Sequence, residues 1–281
     1  MNNFGFQRER KGGGTIANNA AIEFNNQIVN YNSNIEYNAS TFSLKATGDY
    51  YVFWTVTIKT GLGVKGPTIS LITDDDTVYD STNSMKTGQI SGSAVIRVNG
   101  AKTFQLINKT GQSIVLADNV DVSATISIVQ LSGETAGIDL KLINSPGVDL
   151  AGGATVPFDT EFAKFNNMIT NAAGVISITN AGKYIIDWSV AIDGSLDAVS
   201  SKFVLVHPTS ETENTILGTS EISIVHQTSI YGSAILNVTT ASQDVPYNIQ
   251  LINGCTDAAN NLVEITLADI STQASIRIVQ I

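Results

Sequence analysis

Cysteine is almost missing: Cys255 stands alone, so no internal disulfide framework is available and the fold must be held by packing. Charge is scarce as well. Lys, Arg, Asp and Glu make up 14% of the chain, against roughly 25% in an average globular protein, and Asn, Ser and Thr fill the gap. So thinly charged a surface suits close packing against copies of itself, and suits an ordinary extracellular β-protein equally well. No apolar run approaches the roughly 18 residues of a membrane span, which predicts no membrane insertion. Met1 to Gly14 lacks the apolar stretch of a secretory signal, so the expectation is synthesis without a signal peptide.

Chemistry is equally thin. Only two histidines occur, His207 and His226, and neither has a metal-ligand spacing. No Gly-x-Ser-x-Gly nucleophile motif and no phosphate-binding loop are found. The expectation is no enzyme, no cofactor and no catalytic or metal residue. Asp74-Asp75-Asp76 offers three carboxylates, but adjacent residues of an extended chain point in alternate directions, which favours a solvated turn over a calcium loop. Asn38, Asn108 and Asn237 open glycosylation sequons of the kind that an Asn- and Thr-rich chain produces by chance. Cys255 reads as a buried or loop cysteine.

Basic residues are lacking in one half only. Residues 1–132 carry ten Lys/Arg and ten Asp/Glu, whereas residues 133–281 carry five and fifteen, the whole of the net −10. No broad basic surface is left for phosphates, so nucleic-acid binding is not expected. Arg8, Glu9, Arg10 and Lys11 make the N-terminal segment locally basic.

What is present is a duplication. Phe24, Gly48, Tyr50, Trp54 and Val56 recur 134 positions later as Phe158, Gly182, Tyr184, Trp188 and Val190. Gly92-Ser93-Ala94 recurs as Gly232-Ser233-Ala234, Gln105 to Asn108 as Gln250 to Asn253, and Ser127 to Leu131 as Arg277 to Ile281, with the offset growing only between motifs. A period of this length is a whole domain copied, well beyond the roughly 20–50 residues of solenoid repeats.

Alternation of period two predicts strands throughout. Tyr50, Val52, Trp54, Val56 and Ile58 share one face, as do Tyr184, Ile186, Trp188, Val190 and Ile192, and that face is the core. Many short strands separated by Asn, Gly and Ser turns mean sandwiches. The opposite face reads Tyr51, Phe53, Thr55, Thr57 in the first copy and Ile185, Asp187, Ser189, Ala191 in the second. Tyr51 and Phe53 are therefore candidates for a subunit or interdomain contact, or for cover by a loop of their own domain.

The expected organisation is an N-terminal arm at 1–14, a first domain at 15–132, a structured linker at 133–150 and a second domain at 151–281. The linker carries alternating Ile138, Leu140 and Leu142, which suits an extra edge strand. The arm sets Phe4 and Phe6 ahead of Arg8, Arg10, Lys11 and a three-glycine hinge, as would suit a segment that docks elsewhere. A disordered terminus is the plainer reading.

A Gly-x-Tyr-x-x-x-Trp-x-Val strand, a Gly-Ser-Ala-x-x-x-Val strand, a Leu-x-Asn element and a terminal Ala-x-Ile-Ser-Ile-Val-Gln-Leu strand together resemble the jelly-roll heads of the complement first component and the tumour necrosis factor superfamily. Within it they are most similar to C-terminal domains of collagen-like glycoproteins on bacterial spore exosporium. The resemblance covers both repeats and implies an all-β chain of two tandem jelly-roll β-sandwich domains. It departs from the family in having no Gly-X-Y stalk and two jelly rolls. It implies a self-assembling structural protein of a bacterial spore layer or appendage, with copies of itself and other spore-surface proteins as partners. Head-to-tail joining by the basic arm on the acidic second domain and a compact trimer both stay open. The alternative class is a trimeric or monomeric recognition head for carbohydrate, a host receptor or, as a phage protein, a cell surface. A β-sandwich hydrolase would need a converging pair of Asp/Glu residues.

Overall fold

The computed structural model describes residues 5–61, 66–83, 85–131, 136–143, 148–194, 198–210, 213–222, 226–270 and 272–281. The chain divides into two units, Met1–Glu134 and Thr135–Ile281. Among the described residues all regular structure is β-strand.

In the first unit the strands are β1 (Phe6–Lys11), β2 (Gly14–Ile16), β3 (Asn26–Asn30), β4 (Ile35–Asn38), β5 (Thr41–Leu44) and β6 (Gly48–Gly61). They continue with β7 (Thr68–Thr73), β8 (Val78–Thr82), β9 (Gly88–Val98), β10 (Lys102–Asn108), β11 (Ile114–Leu116) and β12 (Val122–Gln130). The second unit opens with β13 (Gly137–Leu142), β14 (Asp149–Leu150), β15 (Thr160–Phe165), β16 (Ile169–Ala172), β17 (Val175–Ile178) and β18 (Gly182–Gly194). It closes with β19 (Ser201–Pro208), β20 (Asn214–Ile222), β21 (His226–Val238), β22 (Tyr247–Asn253), β23 (Ile265–Leu267) and β24 (Ala274–Gln280).

One sheet of the first unit runs β2-β11-β6-β12-β1-β3, with β9 on β6, and the other runs β4-β5-β10-β7-β8. The second unit repeats both orders strand for strand, as β14-β23-β18-β24-β13-β15 with β21 on β18, and β16-β17-β22-β19-β20. Each unit is thus a jelly-roll sandwich of two antiparallel sheets, and the duplication extends over every strand.

The tryptophan strand explains the repeated motif. Tyr50, Val52, Trp54, Val56 and Ile58 are all buried, as are Tyr184, Ile186, Trp188, Val190 and Ile192, each large side chain contributing about 1.5–3 kcal/mol by leaving water. The tyrosine anchors the turn before it: Tyr50 Oη donates to the Ala46 carbonyl at 2.9 Å and Tyr184 Oη to Asn180 at 2.8 Å. Burial pushes both phenols up from their ordinary value.

The glycine of Gly-Ser-Ala lies directly across from the tryptophan, Gly92 beside Trp54 and Gly232 beside Trp188. A Cβ at either glycine would overlap the buried indole. Gly92→Ala or Gly232→Ala is therefore expected to destabilise its own unit by about 1–3 kcal/mol through overpacking. Urea unfolding followed by indole fluorescence checks this, with Trp188→Phe leaving Trp54 as sole reporter for Gly92→Ala and Trp54→Phe leaving Trp188 for Gly232→Ala; an unshifted midpoint would contradict it.

Leu-x-Asn also has a structural reason. Asn108 is fully buried and its Nδ2 donates to the carbonyls of Ile16 (3.0 Å), Ala17 (3.1 Å) and Gln112 (2.8 Å), while Oδ1 accepts from Thr110 N at 3.0 Å. Asn253 repeats the clasp on Leu150 (2.9 Å), Ala151 (3.2 Å) and Val263 (2.9 Å), accepting from Cys255 N at 3.0 Å. The sequon at Asn108 thus begins on a side chain fully committed to the interior.

The expected boundaries need correction. From Phe6 the segment expected as a docking arm is β1, an inner strand hydrogen-bonded to β12 on one side and β3 on the other. The segment expected as a linker holds β13, which lies between β24 and β15 in the same way, and β14. Polar residues disguised β1. Phe6 is 2% exposed and meets the Phe42 ring edge-on at 6.1 Å, but the next inward positions are arginines whose stems complete the layer.

Candidate assembly surface

The outward face of each tryptophan-bearing sheet is where the repeats differ. Period two and register place its residues in rows across the strands. One row is conserved in kind: Thr55 and Thr125 hydroxyls lie 2.8 Å apart, and Ser189 and Ser275 repeat the contact at 2.8 Å.

The next row changes character. In the first unit it joins Gln7, Ser127, Phe53 and Ser93; in the second, Asp139, Arg277, Asp187 and Ser233. Arg277 Nε donates to Asp139 Oδ2 at 2.9 Å, with the two side chains only 6% and 2% exposed. Beside them Lys141 is buried, its ammonium 3.8 Å from the centre of the Phe162 ring. Sequence reasoning missed this pair. Its signal was parity: Asp139 alternates with Ile138 and Leu140, and Arg277 with Ile276 and Ile278, so both must leave the core on the same side.

Burial along this face runs in opposite senses. In the first unit Ser93 and Val95 on β9 are each 2% exposed, whereas Gln7, Glu9, Ser127 and Val129 on β1 and β12 are half-buried. The second unit is closed where the first is open: Asp139, Lys141, Arg277 and Val279 are buried. It is open where the first is closed, with Ser233 exposed and Ile235, the counterpart of Val95, 77% exposed.

The candidate contact residues fall into four groups. Phe4 lies outside the described residues. Phe6, Arg8 and Arg10 turn inward: the Arg8 guanidinium sits 4.2 Å over the Tyr37 ring, and Arg10 donates to the carbonyls of Glu23 and Gly13, both at 3.1 Å. Lys11 is exposed at the strand end, its Nζ 3.4 Å from Glu9. Tyr51 and Phe53 are half-buried on the outward face, beside Val95 and Ser93. Register brings Tyr51 and Phe53 together but sets the other described candidates apart from them.

The acidic triplet is a turn. Asp74 accepts from Thr103 N at 3.0 Å, and Asp75 bonds Lys102 Nζ at 2.6 Å. That ammonium, with the Thr73 hydroxyl, holds the Asp75 carboxyl well below the usual carboxylate range. No group of three metal-ligating side chains occurs among the described residues. His207 stacks on Tyr247 with centroids 3.9 Å apart, its Nδ1 2.6 Å from the Asn248 carbonyl. The side chain of His226 lies outside the described set. Cys255 is buried, which pushes its thiol up, and its Sγ accepts from Lys202 N at 3.1 Å.

No family model matches the chain, and no curated protein does. Among solved structures it is similar to Eiger TNF from S. frugiperda, over 53% of this chain and 94% of that one, at 14% identity and a TM-score of 0.42. Murine APRIL is similar over 52% and 99%, at 9% identity and a TM-score of 0.37. Vertex protein P5 of PRD1 is similar over 47% and 99%, at 18% identity and a TM-score of 0.34. Each likeness spans about half of this chain, the length of one repeat.

Proposed function

We propose that this protein is a non-enzymatic structural subunit that assembles with copies of itself on a bacterial surface, as part of a spore layer or a fibrous appendage. The observation that carries this reading is where the two repeats differ. Core, turn anchor, glycine against tryptophan and asparagine clasp are kept in both, while the outward face of the tryptophan sheet has diverged and leaves Ile235 bare. Ile235 and its cross-strand neighbour Ile185 give that face an apolar spot, which in a chain with 14% charged residues suits burial against another subunit. β1 belongs to its own sheet, so the joining surface in this reading is the sheet face and not an N-terminal arm.

Negative-stain electron microscopy with light scattering over rising concentration tests the proposal. Regular fibres or layers are expected. Single chains or closed trimers at every concentration would overturn it and favour a recognition head that binds through its loops.

A further inference from the structure

The two repeats also differ inside the sandwich, at two positions of the first strand. Arg8 lies opposite Ile126 and Arg10 opposite Ala124, just as Leu140 lies opposite Ile276 and Leu142 opposite Ala274, so register makes each arginine the counterpart of a leucine. Both leucines belong to the core of the second unit. One copy therefore closes this layer with apolar side chains, and the fold itself does not call for arginine there.

The guanidiniums lie at the margin of the first sandwich, between β3 and β4, the terminal strands of its two sheets. Arg8 reaches Gln27 Oε1 on β3 at 3.4 Å and covers the Tyr37 ring on β4, while Arg10 has the backbone carbonyls of Glu23 and Gly13. Neither has an ion-pair partner among the described residues, and the Nε–H of each finds no acceptor there. The acids nearby are engaged elsewhere: Glu9, on the other face of β1, holds Asn26 and Lys11, and Glu36 holds Lys45. Two inward-turned positive charges without a counter-ion are costly where leucine would serve.

We propose that Arg8 and Arg10 bind a phosphate group. Guanidinium forks match phosphate oxygens in paired hydrogen bonds, and two of them, about 7 Å apart along β1, balance a doubly charged phosphate better than a singly charged carboxylate. Gln27, exposed at the same margin, can turn its amide N–H groups to the same ligand. The group is either free phosphate or a phosphomonoester carried on a sugar.

Titration calorimetry of the full chain with inorganic phosphate, with a sugar phosphomonoester and with acetate, at matched ionic strength, tests this. Saturable phosphate binding is expected, with acetate roughly tenfold weaker or more, and the tighter of the two phosphate ligands separates free ion from ester. Arg8→Leu with Arg10→Leu copies the second repeat and should keep the fold while losing the binding. Thermal unfolding gives a second readout: phosphate should raise the melting temperature of the unmodified chain more than that of the double variant. Should the double variant fail to fold, Arg8→Lys and Arg10→Lys keep the charge without the fork, and each should weaken binding roughly tenfold. No binding of either phosphate ligand, acetate bound equally well, or undiminished binding by the variants would overturn the proposal.

Discussion

Arg277→Ala is expected to destabilise the second unit by about 3–5 kcal/mol, because it takes the ion-pair partner from the Asp139 carboxylate, whose side chain is only 2% exposed. Breaking a buried pair by removing one partner leaves a charge without its counter-ion in a poorly solvated place. Removing both charges is a different experiment. Asp139→Leu with Arg277→Leu is expected to be close to neutral, since desolvating two ions offsets most of their attraction and Asp139 Oδ1 already has no hydrogen-bond partner among the described residues. The double-mutant cycle, read by urea unfolding with Trp188 as sole indole, should show strongly non-additive losses. Equal destabilisation by the single and the double replacements would mean that packing, and not charge, holds this row together.

Asn108→Ala should weaken the first unit by about 3 kcal/mol or more, and Asn253→Ala the second by a similar amount. Each asparagine joins the end of one strand, the end of another and a loop through two N–H groups shared among three carbonyls and one accepted bond. Truncation leaves three carbonyls and one amide without the partner they had inside the sandwich, and each such loss costs about 1–3 kcal/mol when no water enters. Aspartate is a harsher replacement than its shape suggests, because it turns an acceptor toward three carbonyls. Thr110→Ala, which keeps the clasp, is the control and should change stability much less. The two sites lie in different units, so their losses should fall on separate unfolding transitions; a single shared loss from either variant would contradict that independence.

Much of this architecture was legible beforehand because packing writes repeated, local signals. Trp54 and Trp188 with their alternating apolar neighbours fixed the core face, and recurrence of those positions revealed the copy. The first strand of each sandwich was harder to read. Gln7-Arg8-Glu9-Arg10-Lys11 shows no apolar alternation, since its inward layer is finished by arginine stems over Tyr37 and by bonds to backbone carbonyls. The surface was partly visible. The contrast between Tyr51-Phe53 and Ile185-Asp187 could be read from one strand, but the partner of Asp187's row, Arg277, stands ninety residues further on and meets Asp139 only through strand order. Burial of Val95 against exposure of Ile235 left no trace in the sequence, because the two are near-equivalent aliphatic residues.

The neighbouring positions of β1 and β12, and again of β13 and β24, bear on how such a chain can grow. Phe6 lies opposite Ile128 and Gly137 opposite Val279, so each sandwich takes in and gives out the polypeptide at the same end of one sheet. Copying the coding segment in tandem therefore needs only a short join and no rethreading of either product, and a third copy could follow Ile281 by the same geometry. The same adjacency makes each sandwich a natural subject for circular permutation, with old ends tied together and new ones opened at an exposed turn.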